Sequence, residues 1–195
     1  MNFLAHLYLS GDREDLRFGN FIGDAVRGKN YSQYNQEIQK GILLHRAIDT
    51  FTDQHPIFRK HCKVLYPEHG HYARVIMDVI YDHFLASNWN KYHRQSLPLF
   101  ALDFYQAVAL RENELPSRMK KLFQMMNQQN WLLQYATLEG LHNILFHMNK
   151  RTSFPSQFPE AIKIIENQKE AMQIDFDTFF LDLKSFCKNH SELHL

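Results

Sequence analysis

The sequence predicts an all-α fold, a single helical domain, on three observations. Only 7 Gly and 6 Pro occur in 195 residues, so the signals that break regular structure are sparse. No run of alternating apolar and polar residues competes with helical spacing, which argues against half-buried strands. Hydrophobic residues make up 45% of the chain, with 16 Phe and 9 Tyr, enough for one large aromatic-rich core at this length.

The elements follow in order. A first helix is predicted over Asn2 to Leu9, ended by Ser10-Gly11-Asp12, and a second from Arg13 to Val26, stopped at Gly28. A third runs from Tyr31 to Phe51 and closes at His55-Pro56, because a residue before proline is pushed out of helical geometry. Further helices are expected over His71 to Asn88, Leu99 to Leu110, Ser117 to Tyr135, Leu138 to Lys150 and Pro159 to Asn189, punctuated by Pro98, Pro116, Pro155 and Pro159. There is no internal repeat and no low-complexity linker. Ionisable clusters gather in residues 1–90, so residues 91–195 read as helical scaffold or partner surface.

Charge and cysteine usage exclude several classes. The 22 Lys plus Arg against 21 Asp plus Glu leave a net charge of +1, unlike the basic balance of a general nucleic-acid binder. Cys62 and Cys187 show no CxxC spacing, which indicates neither a disulfide framework nor a thiolate zinc site, and fits a reducing compartment. The apolar stretch Phe3 to Leu9 is interrupted by His6 and lacks a basic leader and a cleavage site, so it is no signal peptide. No uncharged apolar run approaches the ~20 residues that cross a bilayer. A soluble, cytoplasmic protein with no nucleic-acid and no membrane partner is expected; oligomeric state leaves no mark in the sequence.

The chemistry-bearing residues sit where apolar ones belong. At helical spacing Ile38, Ile42, His45 and Asp49 fall within an arc of about 60°, and His45 and Asp49, one turn apart, can reach one point. Gly41 lies one turn before His45, where a missing side chain is expected to leave room for a ligand. In the later helix Asp78 and Asp82 share an arc with His71, Val75 and Leu85, while Ile76, Ile80 and Phe84 make much of the remaining surface apolar. That pattern predicts a central helix with both carboxylates buried. A buried unpaired carboxylate costs several kcal/mol, roughly the effective penalty per ion, and several on core-facing arcs call for one shared remedy. A divalent cation supplies it, and mixed imidazole and carboxylate ligation suits manganese, iron or zinc better than calcium. His6, breaking the run Phe3 to Leu9, and Asp24, closing Phe18 to Asp24, are further candidates; Gly19 and Gly23 in that segment suggest close backbone packing.

Each residue alone has a structural alternative. His6 suits a hydrogen-bonded core histidine, Asp49 a pair with Arg46, and Asp78 a pair with Arg74 at the same one-turn spacing. Together, HxxxD at 45–49 and DxxxDH at 78–83 favour a metal site. His55, His61, His69, His71 and His93 are expected in loops or at helix ends, His142 and His147 as structural residues, and Met119 to Tyr135 as core packing.

Four segments carry a resemblance. Met-Asn-Phe-Leu-Ala-His-Leu at 1–7, Gly-Asn-Phe-Ile-Gly-Asp-Ala-Val-Arg-Gly at 19–28, Gly-Ile-Leu-Leu-His-Arg-Ala-Ile-Asp-Thr-Phe-Thr-Asp-Gln-His-Pro at 41–56 and Asp-Val-Ile-Tyr-Asp-His-Phe-Leu-Ala at 78–86 are similar, in order and spacing, to bacterial acyl carrier protein phosphodiesterases. The similarity is strong over residues 1–90 and weak beyond. It implies hydrolysis of holo acyl carrier protein to the apo form and 4′-phosphopantetheine, with a divalent metal, manganese first and iron, magnesium or zinc as alternatives. It also implies a divergent helical bundle related to the HD phosphohydrolases. The usual HD signature has His directly before Asp, whereas the adjacent pair here is Asp82-His83, in reversed order.

Such a reaction needs a nucleophile usable near neutral pH, which a metal provides by lowering the pKa of bound water towards ~7. His6, Asp24, His45, Asp49, Asp78 and Asp82 are accordingly expected to supply the ligands and the groups around them. His83 is expected to orient a ligand or move a proton, and Arg27, Lys29 and Arg46 are candidates to stabilise charge on the phosphate. Acyl carrier proteins are acidic, so Arg27, Lys29, Arg59, Lys60 and Lys63 form the expected docking patch. Two other functions fit the residues: an HD-type hydrolase of a small phosphodiester or nucleotide, and a non-enzymatic helical adaptor that binds an acidic protein while its buried carboxylates pair with arginines.

Overall fold

The computed structural model describes residues 1–150 and 157–193, and every regular element among them is helical. The first helix, α1 (Phe3–Leu9), is followed by α2 (Glu14–Ile22), which tightens into a 3-10 turn at Gly23–Ala25. The stretch expected to continue as helix from Tyr31 instead makes a 3-10 turn at Asn30–Gln33. Asn35 then caps the long helix α3 (Gln36–Gln54), its side-chain oxygen accepting the Ile38 amide at 3.0 Å. That side chain satisfies an otherwise orphaned amide, which sets the start of α3 five residues later than spacing suggested.

Helix α4 (Pro56–His69) is the main correction to the expected layout. His55-Pro56 closes α3 and also opens α4: His55 Nδ1 accepts the Ile57 amide at 3.3 Å, and Pro56 occupies the first turn, where its missing N–H costs nothing. His61 and His69, expected near solvent, are buried on this helix. His61 accepts the Tyr81 hydroxyl at 2.9 Å and meets Asp175 at 3.1 Å.

Helix α5 (Ala73–Ser87) is central, as its all-round hydrophobicity predicts, with Ile76, Met77, Val79 to Ala86 all buried. It packs against α1 and α4 and against two later helices, α9 (Leu138–Asn149) and α11 (Lys169–Leu193). Tyr81 packs there edge-on against Phe176 and tilted against Phe179, and Phe84 tilted against Phe176. Between them lie α6 (Leu97–Ala109), α7 (Ser117–Gln129) and α8 (Trp131–Gln134). The helix expected over Ser117 to Tyr135 is broken by Asn130, which takes a left-handed conformation with φ 49°. Helix α10 (Ala161–Glu166) precedes α11, so the last expected helix is also divided. Pro155 lies outside the described residues.

Among the described residues the most extensive helix pairing is α2 against α3. A Cβ on Gly19 would stand 2.2 Å from the Ile38 carbonyl oxygen, and one on Gly41 2.2 Å from that of Leu16. The gap expected at Gly41 is therefore filled by the backbone of α2 and holds no ligand. This contact lets α3 present His45 and Asp49 beside the end of α2. No helix among the described residues is long and apolar enough to cross a membrane.

Candidate metal centre

Four elements converge at one end of the α2 and α3 pair. His6 comes from α1, Asn20 from the last turn of α2, Asp24 from the 3-10 turn, and His45 and Asp49 from one face of α3. Gly23 makes the approach possible, since a Cβ there would lie 2.4 Å from the His45 ring. The imidazoles of His6 and His45 are stacked, with centroids 4.1 Å apart. His6 Nε2 lies 3.1 Å from Asp49 Oδ1, and His45 Nε2 lies 3.2 Å from both Asp49 Oδ2 and Asp24 Oδ1. One metal-binding atom from each of His6, His45 and Asp49 falls within 4.8 Å of the others.

The cluster opens into a cleft of about 650 Å³. Asp24, Asp49, Asp53 and Asp78 line it with the two histidines, and Met119, Leu122, Trp131, Ile144 and Met148 form an apolar wall. The segment beyond residue 90 thus reaches the site through α7, α8 and α9, a contribution that spacing alone did not reveal. Two cationic side chains also line the cleft. Arg74 is paired with Asp53 at 3.2 Å, whereas Arg118 has no ion-pair partner among the described residues.

Both histidines face oxygen at both ring nitrogens. Asn20 Oδ1 is 2.8 Å from His6 Nδ1 and 3.2 Å from His45 Nδ1, while carboxylates face both Nε2 atoms. A neutral imidazole carries one proton for two nitrogens, so each neutral ring leaves one lone pair pointed at an acceptor. Charging both rings would relieve this at the expense of two stacked imidazoliums. Burial, together with the neighbouring His45, pushes His6 down to about 4. For His45 burial acts downward too, but hydrogen bonds to Asp24 and Asp49 outweigh it and raise the ring to about 9. Asp49, despite burial, is held well below the usual carboxylate range by His45 and His6, and Asp24 is lowered by its bond from His45. A cation between the Nε2 atoms and the carboxylates satisfies all of these lone pairs together, so the donor set fits a divalent metal of the manganese, iron or zinc type.

The other expected residues lie around this centre or away from it. Asp78 lines the cleft with 28% of its side chain exposed, less buried than its arc suggested, and its Oδ1 accepts from the α-amino group of Met1 at 2.7 Å. Asp82 is fully buried, and its oxygens accept the backbone amides of Leu4 at 2.7 Å and Ala5 at 3.3 Å. His83 diverges from Asp82: its Nδ1 donates to the Tyr135 carbonyl at 2.8 Å, and it does not line the cleft. Arg46 donates to the Val26 carbonyl at 2.7 Å and covers the Tyr31 ring. Neither Asp49 with Arg46 nor Asp78 with Arg74 forms the one-turn pair that an adaptor reading requires. Arg27 and Lys29 are exposed in the loop just after Asp24, while Arg59, Lys60 and Lys63 are exposed on α4, with Lys60 paired to Asp175 at 2.7 Å. Asn20, buried between the two histidines, carried no signal in the sequence beyond its place in a glycine-flanked motif.

Fold and site together define an all-helical protein with a buried histidine and carboxylate centre at the foot of a half-apolar cleft. The family model for acyl carrier protein phosphodiesterase matches residues 1–183. The chain is 31% identical to the acyl carrier protein phosphodiesterase of Photorhabdus laumondii over 98% of this chain and 96% of that protein. It is 30% identical to that of Serratia proteamaculans over 97% and 98%, and 31% identical to that of Yersinia enterocolitica over 92% and 94%. No solved structure matches. The chain belongs to the acyl carrier protein phosphodiesterase family, and is a hydrolase of the phosphodiesterase class.

Proposed function

We propose that the protein hydrolyses holo acyl carrier protein to apo acyl carrier protein and 4′-phosphopantetheine, using a divalent cation, manganese first, held by His6, His45 and Asp49 with Asp24 beside them. The names of its relatives supply the substrate. The observation that carries the metal is the pair of stacked histidines with an oxygen facing every ring nitrogen at the foot of an open cleft.

A cation there supplies Lewis-acid activation of water and neutralises charge on the phosphate. Asp24, with 67% of its side chain exposed and kept ionised by the bond from His45, is the carboxylate placed to take a proton from water entering the cleft. Arg118 is the cation left to meet a phosphate oxygen, since Arg74 is held by Asp53. The apolar wall of Met119, Leu122, Trp131, Ile144 and Met148 suits the uncharged pantetheine arm. Arg27 and Lys29, beside Asp24, suit the acidic surface of the carrier protein.

The test is to incubate the purified protein and manganese with holo carrier protein and follow intact mass. Loss of the phosphopantetheine mass, abolished by a chelator and restored by manganese, is expected. Hydrolysis of small phosphodiesters with an unchanged holo carrier mass would overturn the substrate, and full activity in chelator would overturn the metal.

A further inference from the structure

The Asn20 side chain can be oriented without ambiguity, although amide oxygen and nitrogen are often hard to tell apart. Its Nδ2 lies 3.0 Å from the His6 carbonyl oxygen, which can only accept, and 2.9 Å from Ser10 Oγ. Ser10 in turn donates its hydroxyl to the same His6 carbonyl at 2.8 Å, so its oxygen is left to accept from Asn20. Both amide protons of Asn20 are thereby used, and Oδ1 must point the other way. It meets His6 Nδ1 at 2.8 Å and His45 Nδ1 at 3.2 Å. Asn20 and Ser10 are both buried, so water does not compete for these bonds.

An amide oxygen can only accept, so it selects rings that carry their proton on Nδ1. From this geometry we infer that Asn20 is the positioning residue of the centre: one carbonyl oxygen fixes both His6 and His45 as Nδ1–H tautomers and turns both Nε2 lone pairs toward Asp49 and Asp24. Orientation of a metal-binding imidazole through its second nitrogen is general. Here a single neutral oxygen serves two rings from two helices, and its own orientation is set by the backbone of one of those rings. Because the partner is an amide and not a carboxylate, it orients the rings without adding a further negative charge to a site that already holds Asp24 and Asp49.

This inference rests on the proposed metal site, and the test separates the two. The full chain, labelled with 15N-histidine and titrated with the diamagnetic probe Zn2+, is followed by long-range 1H–15N correlation spectra and by calorimetry. Two histidines with a protonated Nδ1 and a metal-shifted Nε2 are expected. Asn20→Leu, close in size but without an acceptor, should lower Zn2+ affinity by about 10- to 100-fold, the cost usual for losing an outer partner of a ligand. Asn20→Asp, which keeps an acceptor toward the rings but gives up both amide donors to His6 and Ser10, should recover only part of it. Zinc bound through Nδ1 at either ring, or wild-type affinity in Asn20→Leu, overturns the positioning role while leaving the metal site standing. No histidine responding to zinc overturns both. The wild-type spectra decide the tautomers even if a variant fails to fold.

Discussion

Asp82 Oδ2 lies 2.7 Å from the amide nitrogen of Leu4, so a carboxylate in the middle of the central helix α5 closes the first turn of α1. That turn carries Met1 to Ala5 directly ahead of His6, which ties the placement of one imidazole to the core of the molecule. Removing the carboxylate leaves two buried amides unsatisfied, each costing ~1–3 kcal/mol. Asp82→Ala is therefore expected to lower stability by about 2 kcal/mol or more in urea titrations, and to weaken metal binding because α1 loses its anchor. Unchanged stability would mean that α1 is held by its apolar contacts alone.

The carboxylates of the centre are expected to rank by their contacts. Asp49 faces both histidines, whereas Asp24 faces His45 alone and is more exposed. Asp49→Asn should reduce both manganese affinity and turnover by ~100-fold or more, the upper end of what even an outer partner costs. Asp24→Asn should retain most of the affinity and lose mainly turnover. Equal loss of affinity in the two variants would make Asp24 a ligand of the same rank.

Gly23 makes a sharper structural test of the same site. A Cβ would stand 2.4 Å from the His45 ring, so Gly23→Ala must displace the imidazole or the turn. Metal affinity should fall by about tenfold or more while the melting temperature moves by only a few degrees, about 2–4 °C per kcal/mol for a chain of this size. The reverse pattern is expected at Gly41, where a Cβ meets the backbone of α2 and the loss is of overpacking type, about 1–3 kcal/mol of stability.

Stability of the metal-free protein should also depend on buried histidines outside the centre. Burial lowers the pKa of His69, whose two ring nitrogens have no hydrogen-bond partner among the described residues, and that of His83. Each is neutral in the fold and takes up a proton in the unfolded chain below about 6.5. Their contribution is fully present above that pH and is lost as pH falls through the lower folded values. Unfolding free energies from denaturant titrations should drop between pH 7 and pH 5, by at most ~1.4 kcal/mol per pH unit for each proton. His69→Leu should flatten this acid limb, and a limb unaltered by that change would assign it to other groups.

Docking of an acidic partner should distinguish the two basic clusters. Arg27 and Lys29 adjoin Asp24, while Lys60 on α4 is already paired with Asp175. Arg27→Glu with Lys29→Glu should raise the KM for holo carrier protein several-fold at low salt with kcat preserved, and the effect should shrink as salt rises. Lys60→Glu should change KM less. Equal effects would move the docking surface to α4.

How much of this was legible in the sequence follows from what periodicity encodes. The 3.6-residue repeat places His45 and Asp49 on one face of α3 and makes α5 central, and both hold in the structure. Periodicity is silent on what a face meets. Asp82 shares an arc with Asp78, yet one meets the amides of α1 and the other the cleft, a difference created by where α1 lands on α5. Helix α4 was missed because Pro56 reads as an end when it is also a beginning, and because His61 is buried only by virtue of Tyr81 and Asp175. Asn20 was missed because its role lies in four hydrogen bonds to residues distant in sequence, and Arg118 because the path of α7 over the cleft is a tertiary fact.

The proposed donors of the centre are drawn from α1, α3 and the 3-10 turn after α2, while an apolar wall of the cleft is built by α7, α8 and α9. Reactivity and fit to the reacting molecule are thereby assigned to different stretches of polypeptide. Exchanging Leu122 or Met148 for larger or smaller side chains is expected to reshape the chamber without touching the residues proposed to hold the ion. The architecture lends itself to retuning what it accepts without relearning how to cut.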